Sequence, residues 1–155
     1  VSDTRLILTC GLPGAGKTTL ATKLAAERLT KDEWLWALGA TPWDLPVGQK
    51  IEQKLWCLAQ ELLTLGLSVV LDFGLWARSE RDELRLTARC LGVGVELHYI
   101  PVGTDELWRC IEARNSAPPW NAEPIKRQDL GGWLDIFEAP DAAELDLFDS
   151  PQAPN

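Results

Sequence analysis

The residues that could do chemistry are concentrated in one short stretch, CGLPGAGKTTLA at positions 10–21, where three glycines, a lysine and two threonines follow the apolar run LILTC. Gly11 to Thr18 fits the pattern GxxxxGKT, a strand-to-helix turn whose backbone N–H groups curl around a phosphate. Each residue type has a physical task. Gly11, Gly14 and Gly16 let the backbone turn its amides inward, while Pro13 and Ala15 complete the loop and Thr19 continues it into the helix. Lys17 reaches the outer phosphates, and Thr18 supplies a hydroxyl for Mg²⁺. The positive end of the helix starting near Lys17 adds to the attraction. The segment predicts nucleotide binding.

Such a loop needs a strand before it and a helix after it. RLILTC (5–10), SVVLD (68–72) and VELHYI (95–100) are short, rich in branched residues and bounded by glycine or polar residues, as buried parallel strands are. Helical spacing covers residues 17–27, 47–65, 79–91 and 104–114, with Gly66 and Gly92 just past two of the ends. ELDLFD (144–149) alternates apolar and acidic residues and reads as a last strand. The expected fold is α/β of the P-loop type, with three layers and a mostly parallel sheet of about five strands. One domain spans residues 1–149, followed by a disordered tail at 150–155.

Composition agrees with one globular domain: 155 residues, of which 46% are apolar and 25% charged. No apolar run approaches the roughly 20 residues that span a bilayer, and no basic leader precedes an apolar stretch, so a soluble, cytoplasmic protein is expected. Acidic residues outnumber basic ones 23 to 15, for a net charge of −8. That balance disfavours binding along extended nucleic acid, which draws on Lys and Arg, and leaves room for one local basic cleft. Cys10, Cys57, Cys90 and Cys110 are widely spaced and His98 stands alone, which predicts reduced, mostly buried thiols rather than a metal site or disulfide.

Other nucleotide-binding classes lack their marks here. No NKxD tetrapeptide is present to read guanine, and Phe73 follows Asp72 where a motor or AAA-type ATPase would carry a glutamate. A small phosphotransferase remains, in which catalysis is positioning and charge neutralisation, and an acid takes the acceptor's proton.

From GLPGAGKTT through RLTKDEW, VVLDFGLWARSERDE and LWRCIEARN to FEAP, the chain resembles the small P-loop kinases grouped with chloramphenicol phosphotransferase, zeta toxins and the kinase domain of polynucleotide kinases. The resemblance runs from about Arg5 to Pro140. It implies ATP with Mg²⁺ as the nucleotide and a hydroxyl as acceptor. It places Asp32 at the general base, with helix capping as the alternative reading of that residue. Asp72, at the end of its strand, would serve the metal and phosphates beside Thr18, or would simply form a turn. Arg78 and Arg81 resemble acceptor-side or phosphate-side arginines, although Glu80, Asp82 and Glu83 could pair with them. A mobile helical lid is implied around LWRCIEARN, with Arg114, and less directly Arg109, closing over ATP. Lys126 and Arg127 on its return could face phosphate or solvent.

Eight tryptophans against a single tyrosine need a place. Trp34, Trp36 and Trp43 cluster beside Asp32, where they would wall a pocket for a planar or sugar-like acceptor or pack into the core. Trp120 and Trp133 flank the lid, one possible adenine platform. The chain therefore reads as an ATP-dependent kinase of a nucleoside-like or antibiotic-like small molecule. The alternatives are a slow ATPase acting as a regulatory module and a polynucleotide 5′-hydroxyl kinase.

Overall fold

The computed structural model describes residues 3–118 and 123–152. Among these residues the sheet has four parallel strands, β1 (Arg5–Cys10), β2 (Glu27–Thr30), β3 (Val69–Gly74) and β4 (Gly94–Tyr99), in the order β2-β3-β1-β4. Parallel neighbours require crossovers, which are supplied by α1 (Lys17–Ala21), α2 (Lys31–Ala37), α3 (Leu45–Thr64) and α4 (Arg78–Cys90). After β4 come α5 (Thr104–Ser116), α6 (Arg127–Ile136) and α7 (Ala142–Leu145).

Alternation along a strand sends successive side chains to opposite faces. Leu6, Leu8 and Cys10 of β1 join Val69, Leu71, Val95 and Leu97 on one face, covered by Leu55, Ala59 and Leu63 of α3 and by Leu84 and Ala88 of α4. On the other face Ile7 and Val70 pack under Ala21, Leu24 and Ala26. A separate apolar cluster joins Leu12 of the glycine-rich loop to Leu107 and Ile111 of α5 and to Ile125, Leu130 and Trp133. The loop thus has its own support, distinct from the sheet.

Three strands fall where their residues predicted, and the α/β architecture stands, with four strands instead of five. The helix expected over 17–27 ends at Ala21. Residues 22–26 form a turn, and Glu27–Thr30 become β2, running in register from Glu27 opposite Val69 to Thr30 opposite Asp72. Helix propensity differs among ordinary residues by at most ~0.7 kcal/mol, and pairing the open edge of β3 satisfies a whole row of buried backbone groups, so the sheet wins. ELDLFD does not form a strand. The Asp141 carboxylate accepts from the Glu144 N–H at 2.7 Å and starts the short α7, leaving one bridge between Glu96 and Asp149.

The long helix begins at Leu45, earlier than predicted, because Asp44 caps it by accepting from the Val47 N–H at 3.3 Å, and it ends before Gly66. Of the four cysteines only Cys10 is buried, contrary to expectation, since the other three lie on outward helix faces. Gln152, inside the expected tail, donates its N–H to Glu96 Oε2 at 3.3 Å. Among the described residues no helix is long and apolar enough to cross a membrane.

Candidate active site

The glycine-rich loop connects β1 to α1 in the shape its residue types predict. Gly14 (φ 87°) and Gly16 (φ 93°) are left-handed, a region costly for any residue with a Cβ. Gly14 is constrained twice, since a Cβ there would lie 2.9 Å from Ile111 Cγ1 of α5. The loop starts against the sheet, with the Gly11 N–H donating to Gly74 O at 3.2 Å. Pro13 and Ala15 sit on the loop beside Gly14, and the Ala15 N–H closes a turn on Leu12 O at 3.1 Å. Helix α1 is only five residues long, so its pull on an anion comes from the free N–H groups of its first turn rather than from a long macrodipole. Lys17 Nζ donates to Leu12 O at 2.8 Å, and Thr18 and Thr19 are exposed at the mouth.

Asp72 is buried within β3, two residues before the strand ends at Gly74, with both carboxylate oxygens held. Thr18 Oγ1 donates to Oδ2 at 2.8 Å and Thr9 Oγ1 to Oδ1 at 3.0 Å. The turn-forming alternative for Asp72 fails, because its oxygens accept from side chains on β1 and α1. Thr9 was missed in the sequence. Its only signal is a hydroxyl two residues beyond Ile7, on the same face of an otherwise apolar strand.

β2 explains how Asp32 reaches this edge. Thr30 is level with Asp72, so α2, which starts directly after it, carries Asp32 in its first turn at the same end of the sheet. The cap position of α2 is Thr30, not Asp32, and Glu33 is taken by Arg28. Burial pushes the Asp32 carboxyl above its ordinary range and the Asp72 charge adds to this, against the pull of Lys31, Arg114 and Lys17. Burial lowers the Lys17 ammonium, while Asp72 and Asp32 support its charge and Arg114 opposes it. Lys17, Asp32, Asp72 and Arg114 therefore share one electrostatic environment. Asn115, also missed, pins the chain next to Arg114: its amide donates to Ile125 O at 2.8 Å and accepts the Ile125 N–H at 2.9 Å.

Other predicted residues lie apart from this group. Arg109 is exposed on α5 and its Nε donates to Asp105 O at 3.4 Å, within its own helix. Arg78 takes the pairing alternative, with Nε 3.5 Å from Asp82, while its backbone N–H donates to Glu138 Oε2 at 2.6 Å. The structure corrects the reading of Arg81 as a substrate residue. Its side chain is 0% exposed and bound to Glu144, because α4 turns that position under the β3–α4 turn. Arg127 stacks over Trp108 with the guanidinium 5.7 Å from the ring centre, and Lys126 caps α6 through its backbone N–H to Asp129.

The tryptophans divide. Trp36 is four residues after Asp32 and shares its side of α2, whereas Trp34 points away; they are 55% and 47% exposed. Trp43 stacks on Trp133 at 5.8 Å and 21°, and Trp76 packs 6.0 Å from Trp133, tilted by 59°. Trp133 is therefore buried between neighbours and not an open platform for a base. Trp120 lies outside the described residues.

Thr18 Oγ1 and Asp72 Oδ2 offer hard oxygens side by side at the loop mouth, and no cluster of three or more His, Cys, Asp or Glu able to hold a metal occurs among the described residues. That donor set suits Mg²⁺, which takes one or two protein oxygens and completes its shell with phosphate oxygens and water.

Residues 6–140 match the family model described as an AAA domain. The chain belongs to this AAA domain family. No curated protein matches it in sequence. Among solved structures, a candidate kinase from Chloroflexus aurantiacus is 22% identical, with 90% of this chain and 82% of that chain covered at a TM-score of 0.69. Chaetomium thermophilum Kti12 in complex with ADP-AlF3 is 18% identical over 89% and 82% of the two chains, with a TM-score of 0.63. Mycobacterium tuberculosis APS kinase CysC, in complex with AMPPNP and APS, is 15% identical over 88% and 98%, with a TM-score of 0.58. At these identities the likeness is one of fold. This AAA domain protein has the fold of small P-loop kinases, and it carries Phe73, not glutamate, after Asp72.

Proposed function

We propose that the protein is an ATP-dependent phosphotransferase that moves the γ-phosphate onto a hydroxyl of a small molecule. The observation that supports this reading is the gathering of Lys17, Asp32, Asp72 and Arg114 around the glycine-rich loop, with Asp32 half-buried and its carboxyl pushed upward. A P-loop hydrolase needs a group to orient water beside the γ-phosphate; here the acid stands on a separate helix, α2, which starts at the same end of the sheet as Asp72. Loop amides and Lys17 hold the β- and γ-phosphates. Thr18 and Asp72 would hold Mg²⁺, which neutralises phosphate charge, while Thr9 fixes the Asp72 carboxylate. Asp32 accepts the proton of the acceptor hydroxyl during in-line attack, and Arg114 balances charge on the transferred group. Trp36 offers an aromatic wall next to Asp32, which favours a planar, nucleoside-like or antibiotic-like acceptor.

The test is ADP formation with Mg·ATP against nucleosides, sugars, aminoglycoside and phenicol antibiotics and oligonucleotide 5′ ends, with Lys17→Ala alongside. One acceptor class should raise the rate far above the acceptor-free level, and Lys17→Ala should abolish the rise. A second reading, a slow ATPase serving as a binding module, draws support from the exposed Trp34, Trp36, Leu38, Trp43 and Leu45 around the same region. It predicts one slow rate whatever acceptor is added.

A further inference from the structure

Arg81 and Glu144 are the most deeply buried ion pair of the described residues, and the reaction scheme above does not use them. Arg81 Nε and Nη2 donate to the two oxygens of Glu144 at 2.6 and 3.0 Å. Replacing such a pair with apolar residues of similar volume is often neutral or stabilising, so stability alone does not account for its chemistry. Its remaining hydrogen bonds do. Nη1 donates to Leu75 O at 2.9 Å and to Trp76 O at 3.2 Å, and Nη2 donates to Glu138 O at 2.8 Å.

Leu75 is the single non-glycine residue with a positive φ among the described residues, at 49°, and it follows Gly74 at 89°. A left-handed leucine persists only where its surroundings hold it. Here Leu75 O accepts from both Arg81 and the Cys10 thiol, the latter at 3.4 Å. The same turn reaches the nucleotide side: Gly74 O receives the Gly11 N–H, the first amide of the phosphate loop, and Asp72 lies two residues upstream. Trp76, whose carbonyl also accepts the Glu138 N–H at 3.0 Å, supports Trp133 and through it Trp43.

We propose that the Arg81–Glu144 pair is a positioning device: by holding the Gly74–Trp76 turn in its left-handed shape it fixes Gly11, and with it the phosphate loop, against the end of β3. This rests on the phosphotransferase reading for its consequence in catalysis, but the positioning itself is measurable without turnover. The decisive variant is Arg81→Met/Glu144→Leu, which leaves no buried charge unpaired, compared with Arg81→Met, Glu144→Leu and the isosteric Glu144→Gln. Each full-length protein is examined without ligand by thermal unfolding and by amide hydrogen exchange over residues 11–17, and then by titration with Mg·ADP.

The apolar single variants should unfold at lower temperature, and the double variant should recover most of that loss. Exchange over residues 11–17 in the double variant should nevertheless be about tenfold faster than in the native protein, with Mg·ADP binding weakened to a similar degree, because the turn is no longer held. Glu144→Gln should show the same loosening in smaller measure. If the double variant, or Glu144→Gln should the double not fold, exchanges at the native rate over residues 11–17, the pair is only a structural filler and the proposal is overturned. Failure of the phosphotransferase reading would show separately, as native protein that forms no phosphorylated acceptor while the exchange result is unaffected.

Discussion

The two sides of the candidate site, the phosphate loop and helix α2, are built to different standards. On the phosphate side the groups that frame the loop are partnered, Gly11 on Gly74, Lys17 on Leu12, and Asp72 on both Thr9 and Thr18, which leaves the first-turn N–H groups of α1 for an anion. On the acceptor side α2 spans only seven residues, one of which, Leu35, is buried, and it presents Trp34 and Trp36 to solvent. Triphosphate geometry is the same in every reaction, so its cradle can be held rigidly by its frame. The acceptor side carries identity, and there a large aromatic surface on a lightly anchored element can be re-shaped without disturbing the cradle.

Substitutions that break the rigid side should have the largest effects. Lys17→Ala should lower kcat/KM by about a thousandfold, as expected for removal of a fixed charge at the transferred group, with little change in thermal stability; steady-state kinetics and a melting curve check both. Asp32→Asn should cost roughly 10²- to 10⁴-fold in kcat if Asp32 is the base, and KM for ATP should hardly move. Its pH behaviour is a second reading of the same residue. Because burial raises the Asp32 pKa, the native rate should rise with pH through a value above the ordinary carboxylate range, and the variant should lose that limb. For stability the sign is opposite. The folded state holds the Asp32 proton more tightly than the unfolded chain, so between the ordinary pKa of 3.8 and the raised one folding stability falls as pH rises. Asp32→Asn should therefore melt slightly higher than the native protein at neutral pH.

Gly14→Ala attacks the loop through its backbone and its packing together. A left-handed alanine costs about 1–2 kcal/mol, and its Cβ would press on Ile111 Cγ1 at 2.9 Å, so nucleotide affinity and melting temperature should both fall. Thr9→Val leaves one oxygen of buried Asp72 without its donor, at a cost of about 1–3 kcal/mol, and should weaken the Mg²⁺ dependence of ATP binding. The smallest effects belong to the open side. Trp36→Ala should raise the acceptor KM more than Trp34→Ala does, with kcat for phosphoryl transfer nearly intact; equal effects would mean that the face shared with Asp32 does not define the pocket.

The same contrast decides what could be read from the residues alone. The phosphate loop was legible because its demands are local: three glycines, a lysine and a threonine at fixed spacing between an apolar strand and a helix. Strands β1, β3 and β4 were legible for the same reason. β2 was not, because TKLAAERLT has no strand pattern, and only the vacant edge of β3 turns residues 27–30 into one. Thr9 and Asn115 act across 63 and 10 residues of sequence, respectively, and neither stands out by type. Arg81 misled because three-residue spacing from Arg78 placed both on α4 without telling which side of the helix faces the β3–α4 turn. ELDLFD misled because Glu144 answers a buried arginine instead of alternating along a strand.

The most direct test of phosphoryl transfer is the fate of the γ-phosphate, followed by ³¹P NMR of Mg·ATP incubated with the best acceptor and the native protein, with Lys17→Ala as control. The account predicts a new phosphate ester appearing in step with ADP, one for one, and neither signal in the control. ADP accompanied only by inorganic phosphate, at the same rate with and without acceptor, would contradict it.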